Sequence, residues 1–151
     1  MNKIIVGCLV SVLVLSPLLV RGDDDGIIGV WNNQEKDAKI EIYRCGEKIC
    51  GKIVSLKDPN YPEGSTDGPA GTPKVDNKNP DQKLRKTPLL GLDVVRNFVY
   101  DKNGVWIEGK VYDPKNGKTY SGKITLVSPN ELKLRGFIGI SLIGRTAVWT
   151  R

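Results

Sequence analysis

From residue 28 onward the chain is cut into short stretches of alternating apolar and polar residues, each closed by turn-forming residues, and no helical period lasts beyond two turns. A side-chain period of two puts one set of residues on each face of a strand, so such a chain must pair its strands and bury one face of each. Ala38, Ile40 and Ile42 alternate with Lys39, Glu41 and Tyr43, and Ile49, Ile53 and Leu56 mark the returning strand after a turn at Gly46-Glu47. Residues 94–100 form the next apolar stretch, and Asp101-Lys102-Asn103-Gly104 makes a tight hairpin turn. Val105, Ile107, Gly109 and Val111 then alternate with Trp106, Glu108, Lys110 and Tyr112, before Asp113-Pro114-Lys115-Asn116-Gly117 turns the chain again. Tyr120, Gly122, Ile124 and Leu126 share a face of the following strand. After Ser128-Pro129-Asn130, the residues Leu132, Leu134 and Ile138 share a face of another, residues 139–144 are apolar and glycine-bounded, and 145–151 close the chain.

About eight strands in hairpin order predict an all-β fold, a single antiparallel up-and-down barrel, because closure removes the exposed edges an open sheet would leave. A two-sheet sandwich gives the same periodicity and is the alternative. A length of 151 residues suits one domain. Residues 57–92 interrupt the rhythm with Asp58-Pro59-Asn60, Gly64-Ser65-Thr66-Asp67-Gly68-Pro69 and Asn79-Pro80-Asp81, which exclude sustained strand. A loop this long in a small domain is functional or disordered. Its end, 81–91, carries enough apolar side chains to pack on the barrel or cover one mouth.

Residues 1–22 read as a secretory signal peptide: Lys3 gives a short positive start, 4–20 are almost wholly apolar, and Gly22 stands where cleavage is expected. An uncleaved anchor is the alternative, since 17 apolar residues sit at the short limit for a spanning helix. Cys8 lies too near the start to be a lipidation site. The domain is then 23–151, with no membrane span after cleavage, in the periplasm or outside the cell. In that oxidising setting Cys45 and Cys50, the remaining pair, are expected to form a disulfide stapling two neighbouring strands. A metal or redox site on the two cysteines would need further soft ligands, and the chain has no histidine.

Loss of Lys3 and Arg21 with no acid takes the formal charge from +6 to +4, a modest excess with no run of like charges. Nucleic-acid binding is therefore not expected. Without histidine, neither a Ser-His nor a Cys-His arrangement can form, and no catalytic residue is assigned. Glu108, near Trp106 and Tyr112, is the candidate for carboxylate chemistry, against its reading as an outward strand charge. Asn77-Lys78-Asn79-Pro80-Asp81 has oxygen side chains at alternate positions, as a calcium loop does, but lacks the glycine and distal glutamate such a loop needs. It reads as turn capping by Asx side chains. No metal and no cofactor is expected.

Gly29-Val30-Trp31 on the first strand with an arginine on the last resembles the lipocalin and calycin pattern, in which a cation packs over the tryptophan and seals the closed end of the barrel. Arg145 and Arg151 share a face with Trp149, and Arg151 is the preferred partner of Trp31. A wider set extends the likeness: Cys45-Gly46-x-x-x-Cys50-Gly51-Lys52-Ile53, Asn79-Pro80-Asp81-x-x-Leu84-Arg85-x-x-Pro88, Trp106-x-x-Gly109-x-x-Tyr112-x-Pro114-x-x-Gly117-Lys118-x-Tyr120, Leu134-Arg135-Gly136-x-x-Gly139, and Gly144-Arg145-Thr146-x-x-Trp149-x-Arg151. Across 26–151 the chain is similar to a bacterial exported family catalogued only as a domain of unknown function, and the resemblance implies a lipocalin-like barrel and export. Gly29, Trp31, Arg151, Cys45 and Cys50 then carry structural roles. A shared barrel does not transfer chemistry.

Arg85 ends the long loop, while Arg96 and Arg135 interrupt strands that otherwise alternate cleanly, and a cation aimed into a barrel must meet an anion. They are the candidates for a ligand carboxylate or phosphate, with Trp106, Tyr112 and Phe137 as apolar wall. The alternative is that they face water or pair with Asp81, Asp93 or Glu131. The expected function is non-catalytic binding of a small apolar or amphipathic molecule in the barrel, with the long loop as lid. A protein-interaction module using loop 57–92 is the second reading, and a carboxylate enzyme the third.

Overall fold

The structure, a computed structural model, describes residues 25–140 and 142–151. The expected signal peptide at 1–22 lies outside the described residues. Eight strands follow in order: β1 (Gly29–Asn32), β2 (Ala38–Cys45), β3 (Lys48–Leu56), β4 (Asp93–Tyr100), β5 (Val105–Asp113), β6 (Lys118–Ser128), β7 (Glu131–Phe137) and β8 (Gly144–Thr150). Every neighbouring pair is antiparallel, and β1 meets β8 at Asn32 and Thr150, so the sheet closes on itself as the expected barrel and not as a sandwich. Its interior is packed by Trp31, Ile42, Ile49, Phe98, Trp106, Ile124 and Leu132, all buried.

The hairpin order gives the barrel two unlike ends. The connections at 46–47, 101–104 and 129–130 lie at one end, together with both chain termini of the barrel. Those at 33–37, 57–92, 114–117 and 138–143 lie at the other.

The first end is sealed. Cys45 and Cys50 are disulfide-bonded across the Gly46-Glu47 turn, as expected. The Trp31 indole N–H donates to the Ile27 carbonyl at 2.8 Å. The Arg151 guanidinium lies 4.2 Å from the Trp31 ring centroid, which is the predicted stack. That guanidinium also donates to the carbonyls of Pro129, Ile28 and Gly26 at 2.6, 3.1 and 2.7 Å. Gly29 must be glycine here: its φ is 127°, and a Cβ would stand 3.1 Å from the arginine.

Strict alternation fails in two places. In β5, Glu108 takes φ 62° at an irregularity of pairing between Trp106 and Gly109. Trp106 and Gly109, three residues apart, are therefore both buried, and Phe98 fills the space beside Gly109, where a Cβ would lie 2.1 Å from its ring. In β4, Asn97 has φ 57° beside the paired Phe98. Ile138 corrects the expectation for the seventh strand: β7 ends at Phe137, and Ile138 is exposed instead of sharing the inward face of Leu132 and Leu134.

Candidate ligand-binding site

A cavity of about 1080 Å³ occupies the open half of the barrel. Ile40, Ile53, Val94, Leu134, Ala147 and Trp149 form its apolar wall. All four connections of the open end contribute to its rim, among them Glu35, Asp67, Lys115 and Ile143. The interior of an eight-stranded barrel is just wide enough for packed side chains or one small ligand. Here the closed half takes the first option and the open half the second.

An ion pair crosses the mouth. Lys115 Nζ stands 2.8 Å from Asp37 Oδ2, joining the β5–β6 and β1–β2 hairpins, which lie opposite one another in the strand order. Partial burial pushes the Asp37 carboxyl up, but the Lys115 and Asn33 hydrogen bonds and the lysine's charge together outweigh it and hold the group below its ordinary value. Lys115 is raised, first by its hydrogen bond to Asp37; burial opposes the rise, and the charges of Asp37, Glu35 and Asp113 add to it. Both side chains are substantially exposed, so the pair contributes less than about 1 kcal/mol and acts mainly to set the spacing of the two hairpins.

The 57–92 loop is ordered and tied down. Bridges join Asn60 to Pro73 and Val75 to Pro88, and the Gly91 amide donates to the Ile53 carbonyl at 2.7 Å. Its anchor is Asp76, fully buried, whose carboxylate accepts from the Tyr112 hydroxyl and the Asn79 amide, each at 2.7 Å. Asn79 and Asp81 serve as turn caps, as the sequence predicts: Asn79 Oδ1 accepts from the Asp81 amide and Asp81 Oδ1 from the Lys83 amide, both at 2.9 Å. Asp76→Ala should leave two buried donors unpaired, at a cost of about 2 kcal/mol in urea denaturation, with faster amide exchange confined to the loop.

Tyr112 reports on the same anchor. Burial raises its pKa above the ordinary tyrosine value, the hydrogen bond to Asp76 and that carboxylate's charge add to the rise, and Arg96 opposes it more weakly. A raised folded-state value means that this contribution to stability is complete below about pH 10 and is lost as pH rises through the folded pKa. Denaturation series between about pH 9 and 11 should show stability falling, and Tyr112→Phe should flatten the decline. A residual slope is expected from Tyr43, likewise raised by burial and by its hydrogen bond to Asp93.

Of the predicted ligand contacts, Tyr112 and Phe137 line the cavity, and Arg85, Arg96, Trp106 and Arg135 do not. Arg85 is exposed on the loop and donates to the Asn79 carbonyl at 2.8 Å. Arg96 donates to the Asp93 carbonyl and lies 5.4 Å from the Tyr112 ring centroid, opposite Lys110 in register and thus on the face away from Val95 and Val111. Arg135 donates to Thr146 Oγ1 and to the Leu142 carbonyl, bracing the β7–β8 connection. Arg96 and Arg135 reach backbone or surface partners because their strand phase turns them outward, and Arg85 lies on the loop outside the strands. Trp106 is buried in the packed half, edge-on to Tyr100, with its indole N–H unpartnered among the described residues. Glu108 is exposed on its bulge and is not a cavity residue. The aliphatic wall was readable as inward-facing, but its position at the mouth follows only from the direction of each hairpin.

A closed eight-stranded barrel with a ligand-sized cavity at one end and a tryptophan–arginine plug at the other is a lipocalin-like protein. The chain belongs to a bacterial family: residues 29–151 match the family described as "uncharacterized protein conserved in bacteria" (DUF2147). Among solved structures it is similar to protein HP1028 from the human pathogen Helicobacter pylori, described as belonging to the lipocalin family. The two share 22% identity, with 82% of this chain and 81% of that one covered and a TM-score of 0.67, a likeness that carries the fold alone. No curated protein matches the chain.

Proposed function

We propose that this is an exported protein that binds a small apolar or amphipathic molecule in the open half of its barrel, without catalysing a reaction on it. The observation that carries the reading is the cavity of about 1080 Å³, whose wall is aliphatic and aromatic and whose rim holds charged side chains. That volume lies just above the roughly 300–1,000 Å³ usual for ligand pockets. An apolar wall beneath a charged rim suits a molecule with a hydrocarbon body and a polar end.

Export is supported by the Cys45–Cys50 disulfide and by the apolar stretch of sequence at 4–20. No described helix is long and apolar enough to cross a membrane. The non-catalytic part rests on the chemistry at the mouth, where Asp37 is held in an ion pair with Lys115 and no histidine is available to move protons. A protein-interaction role for loop 57–92 has weaker support, since Leu84 and Leu90 are its only strongly exposed large aliphatic residues. A carboxylate enzyme built on Glu108 has the least, with that side chain outside the cavity.

Native mass spectrometry of protein purified from its own cells should reveal a bound small molecule that leaves on denaturation. Titration with the amphipathic fluorophore anilinonaphthalene sulfonate should show saturable uptake at one site. A ligand-free protein that also fails to take up the fluorophore would overturn the reading.

A further inference from the structure

The exposed apolar surface of this protein is concentrated at the open end. Of the eight large apolar side chains strongly exposed among the described residues, Ile138, Ile140, Leu142, Ile143, Leu84 and Leu90 lie in the open-end connections, and only Val30 and Val127 lie elsewhere. The first four occupy six consecutive positions of the β7–β8 connection and are 67%, 60%, 84% and 70% exposed. Four large aliphatic side chains on one connection, Ile138 before Gly139 and the other three between Gly139 and Gly144, have no reason to stay in water unless something covers them.

Charge and shape say what covers them. Beside the turn stand Arg135, which donates to the Leu142 carbonyl, and Arg145, paired with Gly136, and no acidic side chain occurs from Leu132 to Arg151. Arg145 is exposed beside the aliphatic turn. Leu84, in the opposite connection, stands between Lys83 and Arg85-Lys86. Aliphatic side chains flanked on the same connection by Arg135 and Arg145, with the acids of the mouth carried by the other connections, match the two layers of an anionic lipid surface, hydrocarbon beneath phosphate. A six-residue turn, by contrast, offers far less than the roughly 800 Å² per partner of a standard protein interface. The turn is also continuous with the cavity, because Phe137, Ile138, Ile143 and Arg145 belong to its rim.

We propose that the open end docks peripherally on an anionic phospholipid surface, with Ile138, Ile140, Leu142 and Ile143 entering the headgroup boundary and the neighbouring cations meeting lipid phosphates. The cavity mouth then opens against the lipid. This goes beyond the ligand reading and does not depend on it.

Flotation of the purified protein with vesicles of phosphatidylethanolamine and phosphatidylglycerol, and with vesicles of phosphatidylcholine alone, tests the docking. The protein should float with the anionic vesicles, less with the neutral ones, and less at high salt. Ile140→Asn with Leu142→Asn should reduce the bound fraction by about tenfold or more, since two of the inserted aliphatic groups are lost. Neither side chain lines the cavity, so fluorophore uptake and melting temperature should be unchanged in that variant. Arg145→Gln, tested separately, should weaken binding to the anionic vesicles only. No flotation with either vesicle, or flotation unaffected by the double variant, overturns the proposal. So does a change from dimer to monomer in the double variant without a change in flotation, which would assign the turn to a second copy of the chain. Fluorophore uptake, read without vesicles, separates a failure of docking from a failure of ligand binding.

Discussion

Trp31→Ala should lower the unfolding free energy by about 3–5 kcal/mol, the cost of deleting a large buried aromatic, while leaving ligand affinity at the open end unchanged. Trp31 is fully buried, its indole N–H satisfies the Ile27 carbonyl, and it does not line the cavity. Removing it leaves a void beneath the Arg151 guanidinium, which still has three carbonyl acceptors but no ring to cover. Arg151→Ala alone should cost less, about 1–2 kcal/mol, because the cation–π contact and partly exposed hydrogen bonds are individually modest. The double variant should cost less than the two singles combined, since both act on one contact. Urea denaturation of the three variants with a parallel fluorophore titration checks this. A loss of affinity in Trp31→Ala at temperatures where the variant remains folded would show that the plug also shapes the ligand site.

That plug was readable from the sequence because its geometry follows from closure alone: once eight hairpin-linked strands form a barrel, the first and last strands must meet, and Trp31 and Arg151 stand on them. The disulfide was readable for a similar reason, as Cys45 and Cys50 flank a two-residue turn. The ligand contacts needed more than the period of two. Strict alternation puts Trp106 on the same face as Tyr112, but the bulge at Glu108 shifts the phase, so that Trp106 and Gly109 are both buried around the Phe98 side of the core. Arg96 and Arg135 looked inward-facing in otherwise apolar strands, yet their register turns them to surface and backbone partners. The apolar, glycine-bounded run at 139–144 carries no signal in the sequence for the direction its side chains take. It falls between β7, which ends at Phe137, and β8, which starts at Gly144, with Gly139 at φ 75° and Ile140, Leu142 and Ile143 in solvent. Asp76 was hidden among loop acids, and only the folded loop brings it to Tyr112, 36 residues away.

Ala147→Trp should weaken ligand binding by about a hundredfold, or about 2.7 kcal/mol, with little change in stability. Ala147 lies on β8 opposite Leu134 of β7, and both line the cavity wall. An indole projecting from this position fills space that a ligand would use and takes its apolar contacts, while the cavity around it has room and spares the variant the strain of an overfilled core. The contrast within the barrel is Gly109, where even a Cβ would meet the Phe98 ring, because that half is already packed. Fluorophore titration and native mass spectrometry measure the loss of binding, and a thermal melt establishes that the fold is retained. Unaltered affinity in a folded Ala147→Trp would move the ligand out of the barrel to an external surface. Trp31 lies outside the cavity lining that Ala147 belongs to, so the combined variant should show the stability loss of the first and the affinity loss of the second, unmodified. Coupling between the two would mean that the halves are mechanically linked, and that ligand in the open half is sensed at the sealed end.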